Sequence, residues 1–170
     1  MEVKSDRADD EGGDPRLRRR RANSLKESMR VLSNQLSLLN HHVCGRLAMR
    51  DVDLDCLDLI SRQGPLAPSA VARLAGLHPA TVTGVLDRLQ KAGWISRERD
   101  PSGADRRAVS VRALPDRGAE VFALYAGMNS RLDDLCADYT LTELEVIDDF
   151  LRRASAAGRE ATESLADDGP

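Results

Sequence analysis

The segment Pro68–Trp94, PSAVARLAGLHPATVTGVLDRLQKAGW, sets two prolines eleven residues apart with a glycine between them. Proline is tolerated in the first turn of a helix, where its missing N–H has no intrahelical partner anyway. Pro68 and Pro79 therefore open two helices, about 68–75 and about 79–92, with Gly76 where the chain must turn and Gly93 as the stop. Ala72, Gly76 and Val82, followed by Val85, supply what a helix-turn-helix requires: a small residue at the crossing, a glycine in the turn, and branched apolar residues on the buried side of the second helix. A short αα-corner in any helical protein meets the same pattern, so the neighbouring sequence has to decide.

The outer face of the second helix narrows the choice. With Val82, Val85, Leu86 and Leu89 inward, the helical period turns Thr81, Thr83, Gly84, Asp87, Arg88 and Lys91 outward or along the rim. The N-terminal half is small and hydrogen-bonding and lacks glutamate, which suits entry into a major groove. A positive helix N-terminus would also meet phosphate there.

After this helix come two short strands, Ile95–Arg99 and Ala108–Ala113, around a turn at Pro101-Ser-Gly103. Val109 and Val111 stand at the base of this hairpin and Arg106 and Arg107 toward its tip. A hairpin directly after a helix-turn-helix is a wing. Its valines pack on the helices and its arginines suit a narrow minor groove, which focuses negative potential. Asp105 then holds a neighbouring arginine extended rather than facing phosphate. The candidate DNA contacts are Ser69, Thr81, Thr83 and Arg88 on the helices and Arg99, Asp105, Arg106 and Arg107 on the wing.

The flanking segments are helical in pattern. Leu25, Met29, Leu32, Leu36, Leu39 and Val43 recur at steps of 4, 3, 4, 3, 4, after a capping-box pattern at Ser24-x-x-Glu27. This stripe predicts a helix from Ser24 that packs on another helix, in a partner subunit or in the same chain. A second helix covers Asp53 to Arg62. Beyond Pro115 a helix runs to about Asp138, and a capping box at Thr142-x-x-Glu145, with Leu141 and Val146 as staple, opens the last one.

Composition bounds the class. The chain has 170 residues, 41% hydrophobic but only 3% aromatic, which favours packed helices over an all-β sandwich. The net charge of −3 conceals a basic stretch, Arg88 to Arg112 at net +4, and an acidic one, Asp133 to Pro170 at net −8. Polyanion binding is thereby allowed. No apolar run reaches the roughly 20 residues of a membrane span, and the polar, acidic N-terminus is not expected to be a signal peptide. Residues 1–22 are expected to be a disordered arm whose Arg18–Arg21 run either touches DNA phosphates or is simply solvated.

The order helix, helix, helix-turn-helix, wing, two helices, over about Ser24 to Ala161, resembles the MarR family of bacterial transcription regulators. Its most specific element is the wing signature D-x-R-x-x-x-[LV], here Asp105, Arg107 and Val111. TVTGVLDRLQKAGWI, residues 81–95, is similar to the family's recognition helix and its entry into the wing. The resemblance implies a mainly α fold with a small β-wing, a winged helix-turn-helix domain at 49–113 and a helical dimerisation region from 23–48 and 114–162, with an acidic tail at 163–170. It further implies a cytoplasmic homodimer on a pseudo-palindromic double-stranded DNA operator, a repressor as the expected sign. A small phenolic or other amphipathic ligand would release DNA, and His42 and Arg46 are candidates for lining its pocket. Three departures stand out: Gly84 where many members carry a larger, often basic side chain, a wing tip about two residues longer, and Pro115 where a threonine often caps the fifth helix.

Other signals carry less. Cys44, Cys56 and Cys136 lie far apart without metal-ligand spacing and suit a reducing compartment. A thiol-based redox sensor is an alternative function, but Cys44 falls late in its helix and Cys56 has helical core spacing, as buried structural thiols do. His41 and His42 point about 100° apart on a helix, poor geometry for one metal. No nucleophile-base set, phosphate loop or carboxylate pair suggests an enzyme, and no cofactor is expected. The competing non-catalytic reading is a dimeric winged-helix module that binds only protein. Basic Arg97, Arg99, Arg106 and Arg107 on one hairpin argue against it, since protein interfaces deplete unpaired charge.

Overall fold

The computed structural model describes residues 14–99 and 109–167, which form six helices and a two-stranded sheet. In chain order these are α1 (Pro15–Leu47), α2 (Asp51–Gln63), α3 (Pro68–Ala75), α4 (Pro79–Lys91), β1 (Ile95–Arg99), β2 (Val109–Ala113), α5 (Pro115–Ala137) and α6 (Leu141–Asp167). Two compact units divide the chain, one up to Arg46 and one from Leu47 onward.

In the first unit, α1 begins nine residues earlier than the Ser24 pattern predicts. Asp14 caps it: its Oδ1 accepts from the Arg16 N–H at 2.9 Å, and Pro15 takes the first helical position. Leu, Arg and Ala are all strong helix formers, so once the cap is set the arginine run continues the helix. Residues 15–22 are thus helical rather than a disordered arm; residues 1–13 lie outside the described residues. Ser24 and Glu27 form no cap. The Ser28 hydroxyl donates to the Ser24 carbonyl, and Glu27 instead pairs with Arg30 at 2.6 Å. Leu25, Leu32 and Leu36 of the apolar stripe are exposed.

The second unit carries the core. Gly76 has φ 63°, the left-handed conformation that ends α3. Leu77 N–H reaches back to the Ala72 carbonyl at 2.9 Å, and the chain reverses into α4. His78 caps α4 by accepting the Ala80 N–H at Nδ1, 3.2 Å. At the other end Gly93, φ 73°, lets Trp94 N–H bond the Leu89 carbonyl at 2.9 Å and drives the indole inward. Ile60, Val71, Val82, Val85, Leu86, Leu89, Trp94, Ile95 and Val111 make the buried cluster. Each such side chain contributes about 1.5–3 kcal/mol on burial, and Leu86→Ala, at the centre, would cost about 2–5 kcal/mol.

The strands pair antiparallel in the register Ile95↔Ala113, Arg97↔Val111 and Arg99↔Val109. Val111 is fully buried, and its backbone also bridges Leu66 through hydrogen bonds of 2.8 and 3.0 Å. The base of the wing is therefore locked into the helices, as the valine pattern predicts.

Further along, the cap of α6 sits two residues before its predicted place. The Glu143 carboxylate accepts from the Thr140 N–H and hydroxyl, both at 2.8 Å, and the Glu143 N–H donates to Thr140 Oγ1. Leu141 and Val146 are exposed and form no staple. The helix continues to Asp167, through most of the segment expected to be a tail. Phe122, Leu132 and Leu135 on α5 and Val146, Phe150 and Leu151 on α6 are all exposed. Among the described residues no helix is long and apolar enough to cross a membrane.

Candidate nucleic-acid interface

The second helix of the helix-turn-helix presents what its period promises. Thr81 and Thr83 are exposed on the N-terminal half of α4, and Ser69 is exposed in the first turn of α3. The Thr83 hydroxyl donates to the Pro79 carbonyl at 3.0 Å, which fixes its rotamer and leaves its oxygen lone pairs to accept. A Cβ at Gly84 would meet only Arg88 Nη1, at an ordinary 3.5 Å. Packing does not demand the glycine, so its effect is to leave bare helix backbone on this face.

Arg88 stands on the rim of α4, as its period suggests, but its guanidinium turns to another helix. It reaches across to α2 and donates from Nε to Asp53 Oδ2 at 3.0 Å and from Nη2 to Oδ1. Asp53 is 4% exposed. The carboxylate beside it pushes the Arg88 guanidinium's pKa upward, against the smaller opposing effect of burial. The guanidinium thus ties the recognition-type helix to α2, with its fork occupied. Arg97 on β1 likewise pairs with Asp87 on α4 at 2.6 Å, joining the wing strand to that helix, and Arg112 faces Glu98 at 3.4 Å. Three of the arginines behind the basic stretch therefore face carboxylates. Lys91 is exposed at the end of α4. Arg99 closes β1 opposite Val109. Asp105, Arg106 and Arg107 lie outside the described residues.

A cavity of about 130 Å³ opens beside the ion pair, lined among others by Met49, Asp53, Arg88 and Trp94. His42 and Arg46 are both exposed on α1, one turn apart. His41 and His42 rings meet edge-on at 6.3 Å, and among the described residues no three His, Cys, Asp or Glu side chains gather as metal ligands. Cys44 and Cys56 are buried, and Cys136 is exposed. Burial, then Asp55 and Asp53, pushes the Cys56 thiol up, away from the reactive thiolate.

Two residues of consequence escape sequence reasoning. Asp53 carried a signal, a lone carboxylate beside Leu54, Leu57 and Ile60 on the inward stripe of α2. Arg117 carried none. It lies in the first turn of α5 with its guanidinium 3.7 Å from the centre of the Trp94 ring.

The MarR family model matches residues 51–109, the segment from α2 to the start of β2. The chain is 32% identical over 136 residues to the uncharacterised HTH-type transcriptional regulator YcgE of Bacillus subtilis, spanning 80% of this chain and 87% of that one. It is 34% identical over 76 residues to the HTH-type transcriptional regulator PecS of Dickeya dadantii, 43% of each chain. Among solved structures it is similar to a crystal structure of MarR, at TM-score 0.53 and 25% identity over 80% of this chain and 98% of that one. The fold is also that of a mutant of Staphylococcus aureus MepR bound to an oligodeoxyribonucleotide, at TM-score 0.53 and 16% identity over 78% of this chain and 96% of that one.

Proposed function

The chain belongs to the MarR family of transcriptional regulators, and on that premise we propose that it is a homodimer that binds a pseudo-palindromic operator in double-stranded DNA, with repression as the expected sign. The family is one of regulators, not of enzymes. The observation that carries the reading is the exposed N-terminal half of α4. Thr81, Thr83 and the bare backbone at Gly84 stand where a groove can be read, beside a wing whose base is locked by Val111. In this reading Ser69, Thr81 and Thr83 contact DNA from the helices and Arg99, Arg106 and Arg107 from the wing, with Asp105 orienting an arginine. Arg88 contributes through the placement of α4.

Dimerisation is supported by apolar side chains left exposed on α1, α5 and α6, Leu32, Leu36, Phe122 and Phe150 among them. Large apolar side chains left exposed on helices in this number are what an interaction surface would cover. The dimerising region would be 23–48 with 114–162, and 49–113 the DNA-binding domain. The site of action would be the cytoplasm. A small phenolic or amphipathic ligand that prefers a misfit separation of the winged domains would release DNA, with coupling commonly about 1–3 kcal/mol; His42 and Arg46 are its candidate contacts.

The experiment is sedimentation and DNA titration of one sample. The wild type should sediment as a dimer at micromolar concentration and bind duplex DNA with affinity falling steeply with salt. The Leu32→Asp, Leu36→Asp double variant should be monomeric or destabilised and bind poorly. A stable wild-type monomer, or binding indifferent to salt, would refute the proposal.

A further inference from the structure

Arg117 makes three kinds of contact at one joint. Its guanidinium stacks on Trp94 at 3.7 Å, donates from Nη1 to the Ala92 carbonyl at 2.6 Å, and holds Glu120 through Nε and Nη2 at 3.1 and 2.9 Å. Ala92 is the C-cap residue of α4. Carbonyls at a helix C-terminus lack intrahelical donors and carry the negative end of the helix dipole, so a cation there is doubly favoured. Arg117 therefore caps α4 from another helix. The backbone reinforces the joint, because the Trp94 carbonyl accepts the N–H of Leu114, the residue just before α5, at 2.9 Å. A planar fork can stack on Trp94 and bond Ala92 and Glu120 at once, whereas a lysine supplies a point charge and donors without the stacking plane.

We propose that Arg117 is a positioning residue that fixes the angle of α4 on α5, and so sets the half-site spacing the protein accepts. The inference rests on the dimeric, paired-half-site reading above. Its physical content is a lever. α4 has 13 residues, a length of about 20 Å, so a tilt of about 10° at its C-terminal end moves its N-terminal end by about 3.5 Å, close to one base-pair step. α5 bears the exposed Leu132 and Leu135 on which the dimer would rest. An angular error at the joint becomes an error in the separation of the two reading helices. A purely stabilising arginine would lower affinity for every DNA alike; a positioning arginine changes which spacing is preferred.

The test uses the full chain and a duplex enriched by the wild type from a random library. Versions with one base pair inserted or removed between the half-sites, and a duplex bearing one half-site, complete the set. Arg117→Met keeps the stem over Trp94 and removes the guanidinium. The wild type should bind the shifted duplexes about tenfold more weakly than the selected one, the scale of a lost base contact. Arg117→Met should narrow that ratio to within about threefold while single-half-site affinity stays within about twofold of wild type. Arg117→Lys should behave as Arg117→Met and carries the comparison if the methionine variant unfolds. A variant that keeps the tenfold ratio, or loses affinity equally on every duplex, overturns the inference alone. A wild type indifferent to spacing overturns it together with the paired-half-site reading.

Discussion

Asp53 and Arg88 stand 35 positions apart in sequence and meet through two N–H donors on one buried carboxylate, joining α2 to α4. The pair spans the two helices on either side of the turn helix α3. A long side chain placed on the rim of α4 thus serves the interior of the domain, and in the proposed reading Thr81 and Thr83 are left to contact DNA.

Removing one partner should expose what the pair does. Arg88→Ala leaves Asp53 buried and unpaired, which for a fully buried pair costs about 3–5 kcal/mol. The Arg88 side chain is 38% exposed, so solvent screening brings the expected loss to about 1–3 kcal/mol. Replacing both, Asp53→Leu with Arg88→Met, should recover most of it. Urea melts of the three proteins decide; an Arg88→Ala variant as stable as wild type contradicts the account.

Wing and helix should separate affinity from preference. Arg107→Ala is expected to weaken binding to all sequences and reduce the salt slope by about 0.9. Thr83→Ala should change preference at one or two positions, at about 1–3 kcal/mol where a contact is lost. Anisotropy titrations across salt and across substituted duplexes measure both. An unchanged salt slope in Arg107→Ala would remove the wing from the phosphate contacts.

How far the sequence discloses this design depends on the range of each interaction. The bounds of α3 and α4 follow from local chemistry, Pro68 and Pro79 at first turns and Gly76 in the left-handed region, so they are legible. The start of α1 was legible too, in Asp14-Pro15, but the neighbouring arginine charge masks it. Two overlapping threonine boxes stand at the start of α6, and only the folded chain shows that Thr140, not Thr142, accepts the N–H of its partner. Arg88 and Arg117 are a different matter. A helical period gives the direction of a Cβ, not where a long guanidinium ends: Arg88 ends on α2, and Arg117 at the C-cap of α4 and over Trp94. The wing-tip contacts at Asp105–Arg107 remain readings of sequence.

The N-terminus of α6 should loosen in acid. Thr140, through its N–H and then its hydroxyl, holds the Glu143 carboxyl below the ordinary glutamate range. A depressed folded pKa means the stabilisation is present above the unfolded value and is lost as pH falls through the folded one. Amide exchange at Thr140 and Glu143 should therefore accelerate across that acidic window, relative to a base-catalysed control elsewhere in α6, and Glu143→Gln should abolish the pH step. A step that persists in Glu143→Gln assigns it to another group.

Cys56 should be chemically silent in the folded protein. Burial and the carboxylates of Asp55 and Asp53 keep it a thiol. Alkylation followed by mass spectrometry should label Cys56 only on unfolding, and peroxide at levels that spare the fold should leave DNA affinity unchanged. Rapid native labelling of Cys56 with loss of DNA binding would revive the redox-sensor reading.

The central claim, sequence-selective DNA binding by paired winged domains, is tested most directly by selecting bound duplexes from a random library and weighing the resulting complex. The account predicts enrichment of an inverted repeat with half-site centres about 10–10.5 base pairs apart, or a multiple of that, and two chains per duplex. Recovery of unenriched DNA, or of a single half-site bound by one chain, would contradict it.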